Sequence, residues 1–231
     1  MGLGSGSLPV ISFATSKGGA GKTTSAIVLA TTFSAGASVV LIDADPAGRV
    51  MSWSRRAVMP SRLTVIQSQG ERHIQDEIDR ARSSSTFVIV DLEGAATRVN
   101  AYAMAESDLV IIPMGDEQQD ADAAIETLAQ VAQEGRALRR QIPAAVLFCR
   151  TKAAIKSRLA RTLNQQMRGA VMAFQHELND RTAFSSLHNL GGSLADMNPT
   201  DVGGLDRAIQ NANSFASEVV DILEKIQGPA T

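Results

Sequence analysis

Short apolar runs recur along the chain, separated by stretches whose apolar residues follow helical spacing. Pro9-Val10-Ile11-Ser12-Phe13-Ala14, Val39-Val40-Leu41-Ile42, Leu63-Thr64-Val65-Ile66, Phe87-Val88-Ile89-Val90, Leu109-Val110-Ile111-Ile112 and Ala145-Val146-Leu147-Phe148 each read as a buried strand. A weaker run from Ala170 to Phe174 predicts one more. After the first run, Ala26, Ile27, Leu29, Ala30 and Phe33 mark a helix. A second helix is predicted over 153–168, with Ile155, Leu159, Leu163 and Met167 on its apolar stripe and Arg158, Arg161, Gln165 and Arg168 on the solvent side. Near the C-terminus Leu205, Ile209, Ala212, Ala216, Val219, Leu223 and Ile226 alternate by four and three, which suits a long core-facing helix. Strands alternating with helices imply a three-layer α/β fold: a mostly parallel, twisted sheet flanked by helices on both faces. Ligands in such folds sit outside the carboxyl ends of the strands.

Length and composition narrow this picture. The 231 residues suit one large domain, here expected over 9–226, with a Gly/Ser-rich flexible leader at 1–8 and a frayed tail at 227–231. The leader lacks the basic start and apolar core of a secretory signal. No apolar run reaches the roughly 18 residues of a membrane span. The single cysteine, Cys149, excludes a disulfide framework or a two-cysteine metal site within one protomer and fits a reducing cytosol. His73, His176 and His188 are scattered, without metal-ligand spacing.

The first strand runs into Lys17-Gly18-Gly19-Ala20-Gly21-Lys22-Thr23-Thr24, and a helix follows. The three glycines let successive backbone N–H groups turn onto an anion without Cβ clashes. Lys22 brings a charge to the outer phosphates of a nucleotide, and the Thr23 hydroxyl is placed to ligate Mg²⁺. Lys17 is a second lysine that an ordinary phosphate loop lacks. Two later strands end in carboxylates, in Asp43-Ala44-Asp45-Pro46-Ala47-Gly48 and Asp91-Leu92-Glu93-Gly94. Asp91 is the natural metal-side acid. Asp45, also near the metal, is the candidate for orienting an attacking water in triphosphate hydrolysis.

These motifs, with Ile112-Pro113 after the fifth strand, resemble the ParA/MinD family of deviant Walker A P-loop ATPases, over about residues 9–226. The resemblance implies a P-loop NTPase fold, ATP with Mg²⁺ as cofactors, and a homodimer that sandwiches ATP. Lys17 would reach the partner's phosphates, Lys22, Thr23 and Thr24 would serve their own nucleotide, and Asp45 would be needed for hydrolysis. Base recognition would fall near Cys149 and Arg150, although Cys149 replaces the more usual Thr or Asn. The family also implies a ParB-like or cargo-adaptor protein that stimulates hydrolysis, non-specific double-stranded DNA as a partner, and a cytoplasmic, nucleoid-associated location. With the first strand starting near residue 9, the likeness is to the small partition type. A VirC-type ATPase that promotes conjugative DNA transfer is the nearest alternative. A MinD-like membrane helix would need a basic polar face, whereas the C-terminal helix offers Asp206, Asp221 and Glu224. Departures from the family pattern are Leu92-Glu93, where Glu93 adds a negative charge beside the triphosphate, and Pro113-Met114-Gly115-Asp116-Glu117 after the fifth strand.

The net charge of −2 conceals a segregation. No Lys or Arg lies between Arg98 and Arg136, and no Asp or Glu lies between Gly135 and His176. The basic stretch carries Arg136, Arg139, Arg140, Arg150, Lys152, Lys156, Arg158, Arg161 and Arg168. Read linearly, this predicts one basic patch. Arginines without interleaved aromatics suit phosphate-backbone contact rather than base readout, so the DNA-binding expectation rests on this stretch, Arg150 aside.

Overall fold

The computed structural model describes residues 8–152 and 157–228. The elements follow in the order β1 (Val10–Phe13), α1 (Lys22–Ser34), β2 (Val39–Asp43), α2 (Arg49–Ser54), β3 (Leu63–Gln67), α3 (Ile74–Ser84), β4 (Phe87–Asp91), α4 (Arg98–Ala105), β5 (Leu109–Met114), α5 (Gln118–Ala137), β6 (Ala144–Thr151), α6 (Arg158–Ala170), β7 (Leu178–Asn179), α7 (Thr182–Leu190) and α8 (Leu205–Gln227). The strands form one sheet in the order β3-β2-β4-β1-β5-β6-β7, and each pairing in it is parallel. Parallel strands need crossovers, and the helices between them supply these while covering both faces.

Side-chain alternation along the strands divides the core in two. Ile11 and Phe13, Val39 and Leu41, Phe87 and Ile89, and Ala145 and Leu147 pack with α1, α2, α7 and α8. Val10, Val40, Ile42, Val88, Val90, Val146 and Phe148 pack with α3, α4, α5 and α6. The same alternation decides where the strand-end residues point. Asp43, Asp91 and Cys149 continue the odd-numbered sets and therefore face α1 and α2, the layer that begins with the phosphate loop.

Two sequence expectations are corrected. The run from Ala170 to Phe174 forms no full strand, because α6 extends through Ala170. What remains is a single bridge between Ala173 and Val146, flanked by Val146 N–H to Met172 O and Phe174 N–H to Val146 O, both at 2.9 Å. The chain rejoins the sheet only at Leu178–Asn179. The helix expected over 153–168 starts at Arg158, where the Ser157 side chain caps the Ala160 N–H; Ile155 and Lys156 lie outside the described residues. Leu159 is not on its buried stripe and is 77% exposed. Positions spaced strictly by four drift about 40° per step around a helix, so the buried seam follows Ala160, Leu163, Asn164 and Met167 instead.

α8 buries Leu205, Ala208, Ala212, Phe215, Ala216, Val219 and Leu223 against the core. Phe215 meets Phe174 edge-on, with centroids 5.4 Å apart, which fastens α8 to the segment leading into β7. Phe215→Ala is expected to lower stability by about 3–5 kcal/mol in urea denaturation, the range for removing a buried phenyl ring. A loss below about half a kcal/mol would disprove this role for the contact.

Candidate nucleotide site

The phosphate loop opens α1 in a way that reserves its first turn for an anion. Gly19 and Gly21 take positive φ values of 79° and 102°. Gly21, at the helix N-cap, contributes no side-chain cap, and no acidic residue stands in the first turn. The leading N–H groups and the positive end of the helix dipole therefore have no protein anion competing for them. A Cβ on Gly21 would lie 3.2 Å from the Cβ of Cys149, so this glycine is required by close approach as well as by φ. Cys149 is buried, rests 3.4 Å from the Ser25 hydroxyl, and has its thiol pushed up to about 12 by burial. It is an inert packing residue behind the loop.

Thr23, at the second position of α1, donates to Asp91 Oδ2 at 2.8 Å. Asp91 is fully buried, and its Oδ1 has no hydrogen-bond partner. Burial pushes its pKa up to about 7, against the lowering effects of the Thr23 bond and Lys22. Lys22 is pulled below the usual lysine value by burial, with Asp91 and Asp45 opposing. An orphaned carboxylate oxygen beside a threonine hydroxyl, with Asp45 close enough for its charge to act on Asp91 and Lys22, is an all-oxygen donor set that fits Mg²⁺. Among the described residues no group of three or more His, Cys, Asp or Glu forms a protein-only metal cage. A Mg²⁺ ion that shares its shell with phosphates and water needs none.

Asp45 belongs to a tight loop. Its Oδ1 accepts from the Ala47 N–H at 2.9 Å, and its Oδ2 lies 3.7 Å from Arg49. Asp43, fully buried, anchors this loop by accepting from the N–H groups of Met51 at 2.9 Å and Asp45 at 3.3 Å. Leu92 is core, whereas Glu93 is half-buried and its charge reaches Lys22.

The loop's two lysines face different cavities. A cavity of about 420 Å³ is lined by Gly19, Gly21, Lys22, Thr23, Thr24, Cys149 and Arg150 from the predicted set, whereas Gly18 and Ala20 line the second cavity. The sequence reading missed Arg49, Arg181, Phe184, Ser185 and His188, which line it too. The Asn179-Asp180-Arg181 cluster after a short strand, and an arginine straight after the Asp45 loop, were the available signals. His188 holds the Thr24 hydroxyl at 2.7 Å, and burial lowers its pKa, so it is neutral there at pH 7. Lys17 lines a second cavity of about 380 Å³, with its ammonium 2.6 Å from Asp120 at the start of α5. Asp120 is packed so closely over Gly115 that a Cβ there would lie 2.4 Å from its Oδ2. Arg150, at a φ of 57°, donates to Gly19 O at 2.9 Å and stands between the two cavities, lining both.

The predicted basic patch does not form as one surface. Arg136, Arg139 and Arg140 gather at the C-terminal end of α5, around a shallow groove with Ile142 and Ala144, at the sheet end opposite the phosphate loop. Lys152, Arg158 and Arg161 are exposed on the loop's side. Arg168, expected in solvent, is instead a structural cation. It lies 4.6 Å over the Phe148 ring, donates to Phe174 O, and pairs with Glu177 at 3.1 Å. Arg140 is likewise engaged, with the carbonyls of Ala105 and Ser107.

Fold and site together define a P-loop nucleotide-binding protein of the three-layer α/β class. The profile of the VirC1 protein family matches residues 8–226. Protein ParA of Rhizobium radiobacter is 35% identical over 214 residues, covering 92% of this chain and 96% of that protein. Among solved structures, an Asp-to-Ala variant of McdA of Cyanothece in complex with ATP superposes with a TM-score of 0.76 at 16% identity, covering 94% of this chain and 98% of that one. A plasmid partition protein of Borrelia burgdorferi B31 bound to AMPPNP gives 0.70 at 19% identity, with 93% and 99% covered. The chain belongs to the VirC1 family of ParA/MinD-type P-loop ATPases.

The raised pKa of Asp91 has a definite sign in stability. An unfolded aspartate titrates near 4, so between about pH 4 and pH 7 the folded chain holds a proton that the unfolded chain has released. Without magnesium or nucleotide, wild-type stability is expected to fall relative to Asp91→Asn as pH rises through this window, and to level off above it. Urea denaturation of both proteins at several pH values checks this. Parallel pH profiles would show that Asp91 is not protonated in the fold.

Proposed function

We propose that this chain is a ParA-type ATPase that binds Mg²⁺·ATP, dimerises around two nucleotides, holds DNA without sequence preference, and positions a cargo through partner-stimulated hydrolysis. The observation that carries this reading is the division of labour within the phosphate loop. Lys22, Thr23 and Thr24 line one cavity, while Lys17 lines another, with Gly18, Gly19 and Ala20, and pairs with Asp120. A lysine so placed is available to a nucleotide held by a second protomer. ATP and AMPPNP in the superposed McdA and Borrelia proteins, together with the ParA relative, support the choice of ligand and of cargo positioning.

In this reading Gly18, Gly19, Ala20 and Gly21 cradle the phosphates with backbone N–H groups. Lys22 neutralises the outer phosphates, and Thr23 with Asp91 and Asp45 would hold Mg²⁺, which supplies charge neutralisation at the transferred phosphoryl group. Asp45 orients the attacking water. Cys149 and Arg150 line the same cavity and would border the base. Lys17 must leave Asp120 to reach a partner's phosphates, so dimer formation exchanges one ion pair for another. For DNA, Lys152, Arg158 and Arg161 are exposed cations on the loop's side, and a dimer doubles their number. The VirC1 match favours a second reading on the same chemistry, in which the DNA-bound dimer serves conjugative transfer rather than partition.

Phosphate release, size-exclusion chromatography and salt-titrated duplex binding, with ATP, ADP and no nucleotide, test the proposal. Lys17→Ala is expected to stay monomeric in ATP, and Asp45→Ala to remain a DNA-bound dimer with turnover reduced at least about a hundred-fold, the scale of losing a catalytic positioning group. Equal DNA binding in ADP and ATP would refute the switch. If the three named cations each meet one phosphate, log affinity should fall against log salt with a slope of about −3 per protomer. The triple Ala variant of Lys152, Arg158 and Arg161 should flatten that slope while leaving ATP-dependent dimerisation intact; an unchanged slope would place the DNA surface elsewhere.

A further inference from the structure

Arg49 has no part in the reading above, yet it stands in the nucleotide cavity. It is the first residue of α2, directly after Gly48, which takes a left-handed φ of 62°. Its side chain is 60% exposed and lines the cavity together with Lys22, Thr23 and Thr24. Its charge also acts on the groups around the phosphate loop, lowering the pKa of both Lys22 and His188. The partner it has in the structure is Asp45, through a single 3.7 Å contact to Oδ2. A single contact of this length, made by a guanidinium that is mostly in solvent, is a weak hold and is readily exchanged. A phosphate oxygen pair, by contrast, matches the guanidinium fork with two short charge-assisted bonds.

We propose that Arg49 reads the terminal phosphate of a nucleoside triphosphate bound in its own protomer, leaving Asp45 for the γ-phosphoryl oxygens and so releasing the Asp45 carboxylate to orient water. The inference rests on the ATPase reading and names a further phosphate-binding residue for it. In the structure both oxygens of Asp45 are occupied, Oδ1 by the Ala47 N–H at 2.9 Å and Oδ2 by Arg49. An ionised carboxylate can accept about four bonds, so a water can join either oxygen; losing the Arg49 contact, the longer of the two, leaves Oδ2 turned to that water alone. A triphosphate offers Arg49 an alternative; a diphosphate lacks the terminal group. The exchange thus draws the guanidinium away from Oδ2 only when there is a bond to hydrolyse.

The mechanical path is short. α2 is anchored by the buried side chains of Val50 and Trp53 and by the Met51 N–H on Asp43, and Gly48 supplies the hinge before it. Trp53 is the chain's single tryptophan, and its buried Nε1 has no hydrogen-bond partner. Its emission therefore reports on this helix without any label.

The test uses the full chain as wild type, Arg49→Ala and Arg49→Lys, each titrated with Mg²⁺·ADP and with the non-hydrolysable Mg²⁺·AMPPNP by calorimetry and Trp53 emission, with ATP turnover measured alongside. Because Arg49 is largely exposed, both variants are expected to fold. Arg49→Ala should weaken AMPPNP binding by roughly ten- to hundred-fold, the worth of a charged hydrogen-bond pair, and change ADP binding less than about two-fold. Arg49→Lys should recover part of the AMPPNP affinity but not turnover, since an ammonium supplies charge without the two-pronged geometry. Trp53 emission should respond to AMPPNP in the wild type and lose that response in Arg49→Ala. Equal weakening for both nucleotides, no weakening, or an emission response that is absent in wild type or survives in Arg49→Ala would overturn the inference. Wild-type protein that binds neither nucleotide would overturn the ATPase reading and this inference with it, whereas wild-type binding with unimpaired Arg49→Ala binding overturns the inference alone.

Discussion

The hydrogen bond from Thr23 to Asp91 joins the two parts of the molecule that must not move relative to one another: the start of α1, which carries the phosphate loop, and the end of β4, deep in the sheet. A carboxylate with no solvent exposure is a costly group to bury, and here one oxygen has the Thr23 hydroxyl while the other has nothing. The apolar strands around it add to this cost, which is why its pKa rises to about 7, whereas Asp43, directly beside it in the β2–β4 register, is met by backbone N–H groups. Two adjacent buried acids at the ends of paired parallel strands would repel each other. One is tied to the loop before α2 and the other to α1, so each strand end fixes a different wall of the cavity.

The reach of sequence reasoning follows from which interactions are local. Five of the six legible strands stood out because a strand buried on both faces must be apolar throughout, while the edge strand β3, with Thr64 exposed, showed through Leu63, Val65 and Ile66. The phosphate loop was legible because glycines, lysine and threonine must be contiguous to form it. The segment after α6 was misjudged because its apolar character satisfies Phe174's packing on Phe215, not a full ladder of backbone bonds. Leu159 was misjudged because a stripe spaced by four drifts off the core, and the sequence alone does not say where the helix begins.

Charge was the least transferable quantity. A basic stretch from Arg136 to Arg168 is continuous in sequence, but it spans the end of α5, the whole of β6 and the whole of α6, elements that run the full depth of the sheet in alternating directions. The arginines therefore divide between opposite ends, and Arg168 is drawn to Phe148 and Glu177, neither of which is near it in the sequence pattern. Lys17 shows the converse. Nothing near it in sequence announces Asp120, which arrives from α5 only because β5 lies beside β1. The residues that complete the cavity from α2 and α7 were hidden for the same reason.

Gly19, Arg150 and Asp180 border both cavities, so the phosphate loop acts as a partition with a different lysine on each side. That partition is pinned from outside: Arg150 holds the Gly19 carbonyl, and Ser16 is held by Thr127 and Glu126 of α5. A wall shared by two chambers and braced at its edges has little room to yield to one without being felt in the other. The first chamber and Lys17 are thus separated by little more than the thickness of a backbone.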